Sequence, residues 1–334
     1  MRQRIIKTIQ SSVLLLVSLV TAVMVVSPQA LAAGDTTANV IKVTPVRSDI
    51  TVNPGESQTV KVIVTNLTTG TVNITATEND FIAGDESGTP SLILDAGKYA
   101  PTHSLKRFMV PIENMSIEAG KSVTADVVIN VPKTAQAGGY FGAVRFQPTT
   151  PDTGGQVNLA PSVASLILLT VPGDAVEKLN LTEFKVQQNN KAGTYFQTPK
   201  DLNVTFRFEN KGNLQESPFG KITLKKGNTV VSDHDFNDGT PKDVILPDSA
   251  RRWTIPLENV DNFGHYTVSG TISYGKDNQT IEVSQSFWVI PMSYIVGAII
   301  GLIVLIGLIV GGWMFLRNYK RRIVRDQNRG RLND

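Results

Sequence analysis

The chain of 334 residues contains no cysteine. Disulfide bonds, thiol catalysis and cysteine-ligated zinc are therefore excluded. An exported domain without disulfides must be stabilised by its own apolar core. That is feasible here, because a domain of ~150 residues buries about 68–70% of the surface that its unfolded chain exposes.

Histidine is scarce, and its three positions (His103, His234 and His265) form no metal-binding pair. The densest polar cluster is residues 233–238, where Asp-His-Asp is followed by a further aspartate. This cluster could bind a divalent cation. A solvated loop is the preferred interpretation, because the glycine and terminal glutamate of a calcium loop are absent. We predict no metal site and no cofactor.

Catalytic motifs are also lacking. The chain has no G-x-S-x-G, no G-x-G-x-x-G and no Walker loop. Paired carboxylates for glycoside hydrolysis could come from Asp49, Asp80, Asp85 and Glu86, but nothing in the sequence positions them. Acidic residues are by default exposed. We therefore predict that the protein is not an enzyme.

The net charge of +3 conceals an uneven distribution. Of 32 basic and 29 acidic groups, 10 basic and 2 acidic groups lie in the first 32 and the last 18 residues, so the part between them has a net charge of −5. The basic ends favour membrane insertion, and the acidic centre argues against a nucleic-acid partner.

The N-terminus has the parts of a secretory signal peptide. A basic segment (residues 2–7) precedes an apolar stretch (residues 13–26), and small residues follow at Ala30 and Ala32. This pattern predicts a signal peptide over residues 1–32, cut after Ala32. The alternative is an uncleaved N-terminal anchor, against which the A-x-A site argues.

Residues 292–316 carry no charge and are long enough to span a bilayer. Tyr294 and Trp313 stand near opposite ends, where aromatic rings favour the membrane interface. Basic residues follow at Arg317, Lys320, Arg321, Arg322 and Arg325. Because positive residues stay cytoplasmic, we predict a single-pass protein of the cell membrane with an extracellular ectodomain and a basic cytoplasmic tail, residues 317–334.

The ectodomain alternates apolar and polar residues with a period of two. Val60, Val62 and Val64 face one way while the residues between them are polar. Similar runs lie at residues 72–77, 123–131, 204–208, 266–274 and 281–289. Such strands bury one face and expose the other. The pattern predicts an all-β fold of two tandem Ig-like β-sandwich domains, followed by one transmembrane helix.

A weak internal repeat supports two domains. A turn, a polar residue and a strand recur at residues 53–66, 118–131 and 246–259. Strands containing a glycine and an aromatic residue follow at 137–146 and 262–274. The repeat indicates that the same corner of a sandwich is built twice.

Proline and glycine near residues 172–174 break the strand pattern. We therefore place a first domain at residues 33–172 and a second at 173–291, joined by a connection too short for free tumbling.

Two segments are candidates for binding loops on a rigid sandwich: residues 82–106 and 147–158. The first could equally hide an unrecognised strand or helical turn. Residues 246–250 (LPDSA) faintly resemble a wall-sorting signal, but cleavage there would split the second domain. Retention by the intact helix is the simpler prediction.

The order of parts resembles the WxL-interacting proteins of bacterial surfaces. The matching residues are Val43-Thr44-Pro45 leading to NPGES (53–57), the strand VKVIVTN (60–66) and AGGYFGAVRF (137–146). The resemblance implies a first Ig-like domain linked to peptidoglycan binding and a second linked to a host or partner. The first domain also resembles the Ig-like fold of periplasmic pilus chaperones.

These observations favour a membrane-anchored, non-catalytic adhesion or scaffold protein that contacts cell-wall peptidoglycan or another surface protein. The alternative is a chaperone-like accessory ectodomain of an export or assembly machine. An envelope hydrolase is a remote third possibility, since no positioned acid–base pair is found. The expected partners are the bilayer, through residues 292–316, and a wall polymer or a surface protein.

Overall fold

The computed structural model describes residues 40–149 and 161–330, with side chains up to Arg317 in the last helix. Ala30 and Ala32, the predicted cleavage residues, lie outside the described residues, as does most of the predicted loop 147–158. The described chain is mostly β-structure and ends in one long apolar helix.

Nine strands form two neighbouring sheets, here called the first sheet pair. The strands are β1 (Ile41–Thr44), β2 (Arg47–Thr51), β3 (Ser57–Asn66), β4 (Val72–Ala83), β5 (Pro90–Leu92), β6 (Met115–Ile117), β7 (Ser122–Asn130), β8 (Gly138–Thr149) and β9 (Val163–Val171). One sheet has the order β1-β3-β7. The other has the order β2-β9-β8-β4-β5, with β6 beside β4. The predicted alternation is confirmed in β3, where Val60, Val62 and Val64 are buried and Lys61 is exposed.

The chain changes sheets between β1 and β2. Strand β1 pairs antiparallel with β3, whereas β2 pairs parallel with β9. Pro45 lies at the crossing and follows a cis peptide bond. Proline suits this position because it has no N–H group to leave unpaired where the chain departs from a ladder.

Nine further strands form the second sheet pair. They are β10 (Leu179–Gln188), β11 (Lys191–Ala192), β12 (Tyr195–Phe196), β13 (Leu202–Asn210), β14 (Phe219–Lys226), β15 (Thr229–Phe236), β16 (Ala250–Pro256), β17 (Gly264–Tyr274) and β18 (Gln279–Val289). The sheets have the orders β11-β10-β13-β16 and β12-β18-β17-β14-β15. Rings from both sheets, including Phe206, Phe236 and Phe287, share one buried core. The aromatic residues that alternate along these strands therefore form the contact between the two layers.

One helix follows β18 after two residues: α1 (Met292–Gly330). Its part from Met292 to Arg317 has a mean hydropathy of 2.8 and none of it is buried. Among the described residues it is the one helix long and apolar enough to cross a bilayer. Helical backbone continues through the basic residues Lys320, Arg321, Arg322 and Arg325.

An apolar joint connects the two sheet pairs. In the sheet with the order β2-β9-β8-β4-β5, one face points away from the core of the first sheet pair. This face carries Phe81, Phe141, Ala143 and Leu168, which pack against Leu246. Strands β8 and β9 are therefore buried on both faces over much of their length. The LPDSA segment (246–250) begins with this buried leucine and leads directly into β16.

Backbone and side-chain hydrogen bonds complete the joint. The Gly139 N–H donates to the Asn213 carbonyl oxygen at 2.7 Å, and the Asn213 amide donates to the Ala137 carbonyl oxygen at 2.9 Å. A Cβ atom on Gly138, whose φ is 147°, would lie 2.9 Å from the same Asn213 oxygen. Glycine is therefore required at this close approach of the two sheet pairs.

The segment between β4 and β5 reaches across to β16. The Arg252 N–H donates to the Glu86 carbonyl oxygen at 2.7 Å. The Glu86 carboxylate accepts from Arg207 Nε at 2.8 Å and from Arg252 Nε at 3.0 Å. The hydrogen bond from Arg207 is the main cause that lowers the pKa of Glu86. This loop therefore ties the first sheet pair to the edge of the second.

Replacing Leu246 tests whether the apolar joint couples the two sheet pairs. Leu246→Asp places a carboxylate in the apolar cluster, where desolvation is costly. We expect the calorimetric unfolding of the full chain in detergent to split into two separate transitions. Leu246→Met conserves volume and is expected to cost less than about 1.5 kcal/mol without a split. A single unshifted transition for Leu246→Asp would show that the joint does not couple them.

Candidate functional site

A buried acid organises the segment that follows β4. Asp80 is fully buried, and its carboxylate accepts hydrogen bonds from Ala100 N (2.8 Å), Ser104 Oγ (2.6 Å) and Lys106 N (2.8 Å). A buried carboxylate is stable only when donors surround it in this way. The Ile93 N–H donates to the Asp80 carbonyl oxygen at 2.8 Å, so both ends of the segment are bound to one residue.

The predicted long loop 82–106 therefore contains more structure than its composition indicated. Strand β5 pairs with the end of β4, where Phe81 lies opposite Leu92. A 3-10 turn at Lys106–Phe108 follows the segment held by Asp80. The alternative of unrecognised structure within this loop is thus realised in part, and the rest is irregular chain with fixed hydrogen bonds.

An open pocket of about 480 Å³ lies beside this segment and is here called the loop pocket. It is lined by residues 100–104, 107–108, 136–138 and 140, and by Asn213. Because Asn213 belongs to the second sheet pair, the wall of the pocket includes a residue from each side of the joint.

Aromatic rings form one wall of the loop pocket. The Phe108 and Tyr140 rings lie 4.8 Å apart, and His103 lies edge-on to Tyr140 at 6.4 Å. Burial raises the pKa of Tyr140, so its hydroxyl is neutral over the physiological range. The His103 backbone has φ of 60°, a strained conformation for a side chain of this size. Its ring Nδ1 donates to the Gly139 carbonyl oxygen at 2.6 Å, which fixes the ring against the wall.

Arg107 supplies the cationic part of the loop pocket. Its guanidinium stacks on the Tyr99 ring at 4.5 Å. Lys106 reaches the same ring at 5.3 Å but donates to the Ala96 carbonyl oxygen. Arg107 makes no ion pair with any of the described residues. Its planar fork is therefore available for a carboxylate of a partner, which arginine binds through two parallel hydrogen bonds.

The hydroxyl and imidazole groups of Ser104 and His103, which line the loop pocket, are both engaged in hydrogen bonds within the protein. Nucleophilic catalysis needs a hydroxyl in contact with a base. The Ser104 hydroxyl is buried and donates to Asp80, and the proton of His103 Nδ1 is engaged by the Gly139 carbonyl. An aromatic wall beside an arginine instead recognises a carboxylate next to an apolar or ring-shaped group.

The other acids considered from the sequence are separated into different structural roles. Asp49 pairs with Arg47 at 2.9 Å, and Asp85 accepts from the backbone and hydroxyl of Ser87. Glu86 belongs to the joint. The structure thus brings none of these carboxylates together with Asp80 as a catalytic pair.

The Asp-His-Asp cluster lies on the exposed edge strand β15. Asp233 and Asp235 stand 4.0 and 3.8 Å from the Lys221 ammonium group. Within residues 40–149 and 161–330, no group of three or more histidine or acidic side chains is placed to hold a metal ion. Residues 233–236 are therefore part of an edge strand and not of the predicted loop, although the side chains of Asp233, His234 and Asp235 are exposed as expected.

The carboxyl group with the largest pKa shift is Glu216, which the sequence did not single out. It is 2% exposed, and its backbone pairs with Ile245 next to the joint. Burial, reinforced by the charge of Glu177, raises the pKa of Glu216 to about 7. Its Oε1 atom has no hydrogen-bond partner among the residues that the structure describes. It lies outside the loop pocket, so its effect is on stability.

Comparisons with known proteins yield structural likenesses only. No protein-family model matches the chain, and no curated protein matches it. A solved class 5 fimbriae chaperone, CfaA, is 14% identical and has a TM-score of 0.38, covering 74% of this chain and 98% of that chain. The E. coli chaperone DraB is 13% identical with a TM-score of 0.33, covering 75% and 98%. The structure of the Salmonella enterica SafA pilin with the SafB chaperone is matched at 10% identity and a TM-score of 0.35, covering 75% and 95%. Likenesses of this strength carry no conclusion about function.

Removing the Asp80 carboxylate tests its role as organiser of the segment. Asp80→Ala leaves three donors without their acceptor, which is expected to lower the free energy of unfolding by about 3 kcal/mol. Hydrogen exchange at the amides of Ala100 and Lys106 is expected to accelerate far more than exchange in β17. The matched control is Asp126→Ala, since Asp126 makes an exposed ion pair with Lys61. Unchanged protection at Ala100 and Lys106 would refute the assignment.

Glu216 is expected to make stability depend on pH. Its folded pKa of about 7 lies above the ordinary value of 4.5, so the folded state binds the proton more tightly. Stability contributed by the protonated group is complete below pH 4.5 and is lost as the pH rises toward 7. Glu216→Gln is expected to stabilise the protein at pH 8 by up to about 3 kcal/mol and to change little at pH 4.5. The measurement is the difference between the two unfolding curves across this range, with Glu118→Gln in an exposed turn as control. A difference that is constant with pH would contradict the shift.

Proposed function

We propose that this chain is a membrane-anchored, non-catalytic binding protein of the cell surface. In this proposal the two sheet pairs are tandem Ig-like domains outside the cell, residues 292–316 span the membrane, and the basic tail lies in the cytoplasm. The apolar helix and the basic residues from Arg317 onward support this orientation. At the loop pocket the Ser104 hydroxyl is buried and is bound to the enclosed Asp80, which supports a non-catalytic role.

The loop pocket carries the proposal of binding. It combines Arg107, which makes no ion pair among the described residues, with the rings of Phe108 and Tyr140. Arg107 and Phe108 directly follow the segment held by buried hydrogen bonds. A preorganised site loses little conformational entropy when it binds. Its chemistry suits a partner with a carboxylate beside an apolar or ring-shaped group.

Two kinds of envelope partner have that chemistry. Wall peptidoglycan carries carboxylates on its peptides beside sugar rings, and a surface protein presents aspartate or glutamate beside apolar residues. The resemblance to WxL-interacting proteins implies wall binding for the first domain, predicted at residues 33–172, which contains Arg107. The wall polymer is accordingly the first partner to test.

A chaperone-like accessory role is the second candidate. Strand β2 covers the edge of β9 only from Leu166 to Thr170, although β9 begins at Val163. An extended segment of an exported protein could add to the remaining edge as a strand. This candidate predicts contact at Val163, whereas the first predicts contact at Phe108.

Arg107 variants test the binding proposal in the full chain, held in detergent and sedimented with isolated cell-wall sacculi. Arg107→Ala is expected to weaken co-sedimentation about tenfold, because it removes charge-assisted hydrogen bonds. Co-sedimentation of Arg107→Lys is expected to lie between that of the wild type and that of Arg107→Ala, since lysine keeps the charge but lacks the planar fork of arginine. Lys121→Ala, in an exposed turn of the first sheet pair, serves as the charge-matched control and is expected to bind as the wild type.

Photo-crosslinking on intact cells separates the partners. A photoreactive residue at Phe108 is expected to crosslink to wall material, and one at Val163 is expected not to. Crosslinks from Phe108 to a protein would show that the partner of the loop pocket is a surface protein and not the wall. Crosslinks from Val163 alone would favour the chaperone-like role, and equal sedimentation of all Arg107 variants would refute the loop pocket as the site.

A further inference from the structure

The second sheet pair exposes a group of aromatic side chains beside the start of α1. Four aromatic residues of the two sheet pairs are exposed in the described part of the chain: Tyr99 (45%), Tyr195 (42%), Phe263 (47%) and Trp288 (45%). Three of these four, all except Tyr99, lie in or beside strands that adjoin the helix. Exposed large rings that gather in one place mark an interaction surface.

The position of this surface relative to the bilayer follows from the length of α1. Tyr294 and Trp313 are 19 residues apart, which corresponds to about 29 Å of α-helix. The hydrocarbon core of a bilayer is ~30 Å thick, so both rings lie at its two boundaries when the helix spans it. The Phe263 ring stacks on the Tyr294 ring at 5.2 Å. A ring in that position lies within the polar interface, which extends ~5–7 Å beyond the hydrocarbon on each side.

Strand pairing brings the remaining rings to the same end. Trp288 lies opposite Tyr195 in β12 and opposite His265 in β17, so all three project from one face of the sheet. The His265 and Trp288 rings are 4.6 Å apart. The Tyr195 hydroxyl donates to the Ile290 carbonyl oxygen at 2.9 Å, two residues before the helix begins. This face therefore continues directly into the membrane-spanning segment.

We propose that these five residues (Tyr195, Phe263, His265, Trp288 and Tyr294), here called the aromatic collar, lie in the headgroup region of the bilayer and hold the second sheet pair against the membrane surface. Tryptophan and tyrosine favour that region because an apolar ring and a polar atom are satisfied together there. Lys226 forms an ion pair of 2.7 Å with Asp261, two residues before Phe263, so these two charges neutralise each other. The collar contacts the phospholipid surface through its rings. The inference rests on the proposed membrane anchoring.

The three tryptophans of the chain provide the test. Three full-length variants each retain one tryptophan, Trp253, Trp288 or Trp313, and have the other two changed to phenylalanine. Each is reconstituted in phosphatidylcholine vesicles. The vesicles contain lipids that are spin-labelled either at the headgroup or along the acyl chain. Trp253 packs against Phe208 and Phe236 in the core and is expected to be unquenched by either label. Trp313 is expected to be quenched, which reports insertion of the helix. Trp288 is expected to be quenched as strongly as Trp313, and more by the headgroup label than by the deep acyl label.

A second variant isolates the collar from the anchor. Phe263→Ser in the protein that retains Trp288 is expected to reduce its quenching. Tyr99→Ser, which removes an equally exposed ring from the first sheet pair, is expected to leave it unchanged. Quenching of Trp313 with none at Trp288 would overturn the collar while leaving the anchor intact. No quenching at Trp313 would overturn the anchoring and the collar together.

Discussion

The enclosed carboxylate of Asp80 imposes the constraint on which the candidate site depends. A charge taken out of water must be surrounded by donors, and here these are two backbone amides and one hydroxyl of the segment that follows. Meeting this requirement fixes the path of residues 93–106. That path leads directly into Arg107 and Phe108, which line the loop pocket together with Tyr140, so a single buried acid helps to set the shape of the pocket.

The same segment begins with the contact that joins the sheet pairs. Before it turns toward Asp80, the chain extends Glu86 to two arginines on the neighbouring sheet pair. In the same joint, Leu246 packs against the face of β8 and β9 that points away from the core of the first sheet pair. The apolar cluster supplies the burial that stabilises the joint, whereas partly exposed ion pairs contribute little free energy and mainly select one orientation.

Much of the fold could be predicted from the sequence, because alternation with a period of two reports which face of a strand is buried. The runs around Val62, Val127 and Phe206 are confirmed as strands with one buried face. The run SLILLT in β9 contained a further signal. Its continuous apolar character reflects burial on both faces, with Ile167 and Leu169 on one side and Leu166 and Leu168 on the other.

The candidate site was less accessible to sequence reasoning. Asp80 is one of the four acids considered from the sequence, and the apolar residues Phe81, Ile82 and Ala83 that follow it in β4 were the available sign that it would be enclosed. The approach of Arg107 to Tyr99 and the position of Asn213 in the pocket wall depend on contacts between distant parts of the chain, which no local pattern records. The raised pKa of Glu216 likewise follows from packing at the joint and not from neighbouring residues in the sequence.

The position of Asn213 links the loop pocket to the sheet pair that leads into α1. Asn213 lines the loop pocket, bonds to Ala137 and Gly139 across the joint, and belongs to the sheet pair that leads into the helix. If the joint opened, the pocket would lose Asn213 from its lining, so the shape of the pocket depends on the docking of the two sheet pairs. A collar that holds the second sheet pair on the bilayer would then restrict the directions in which the pocket faces. Binding energy at such a site is not consumed in ordering two mobile domains, which is the physical advantage of coupling pocket, joint and anchor in one chain.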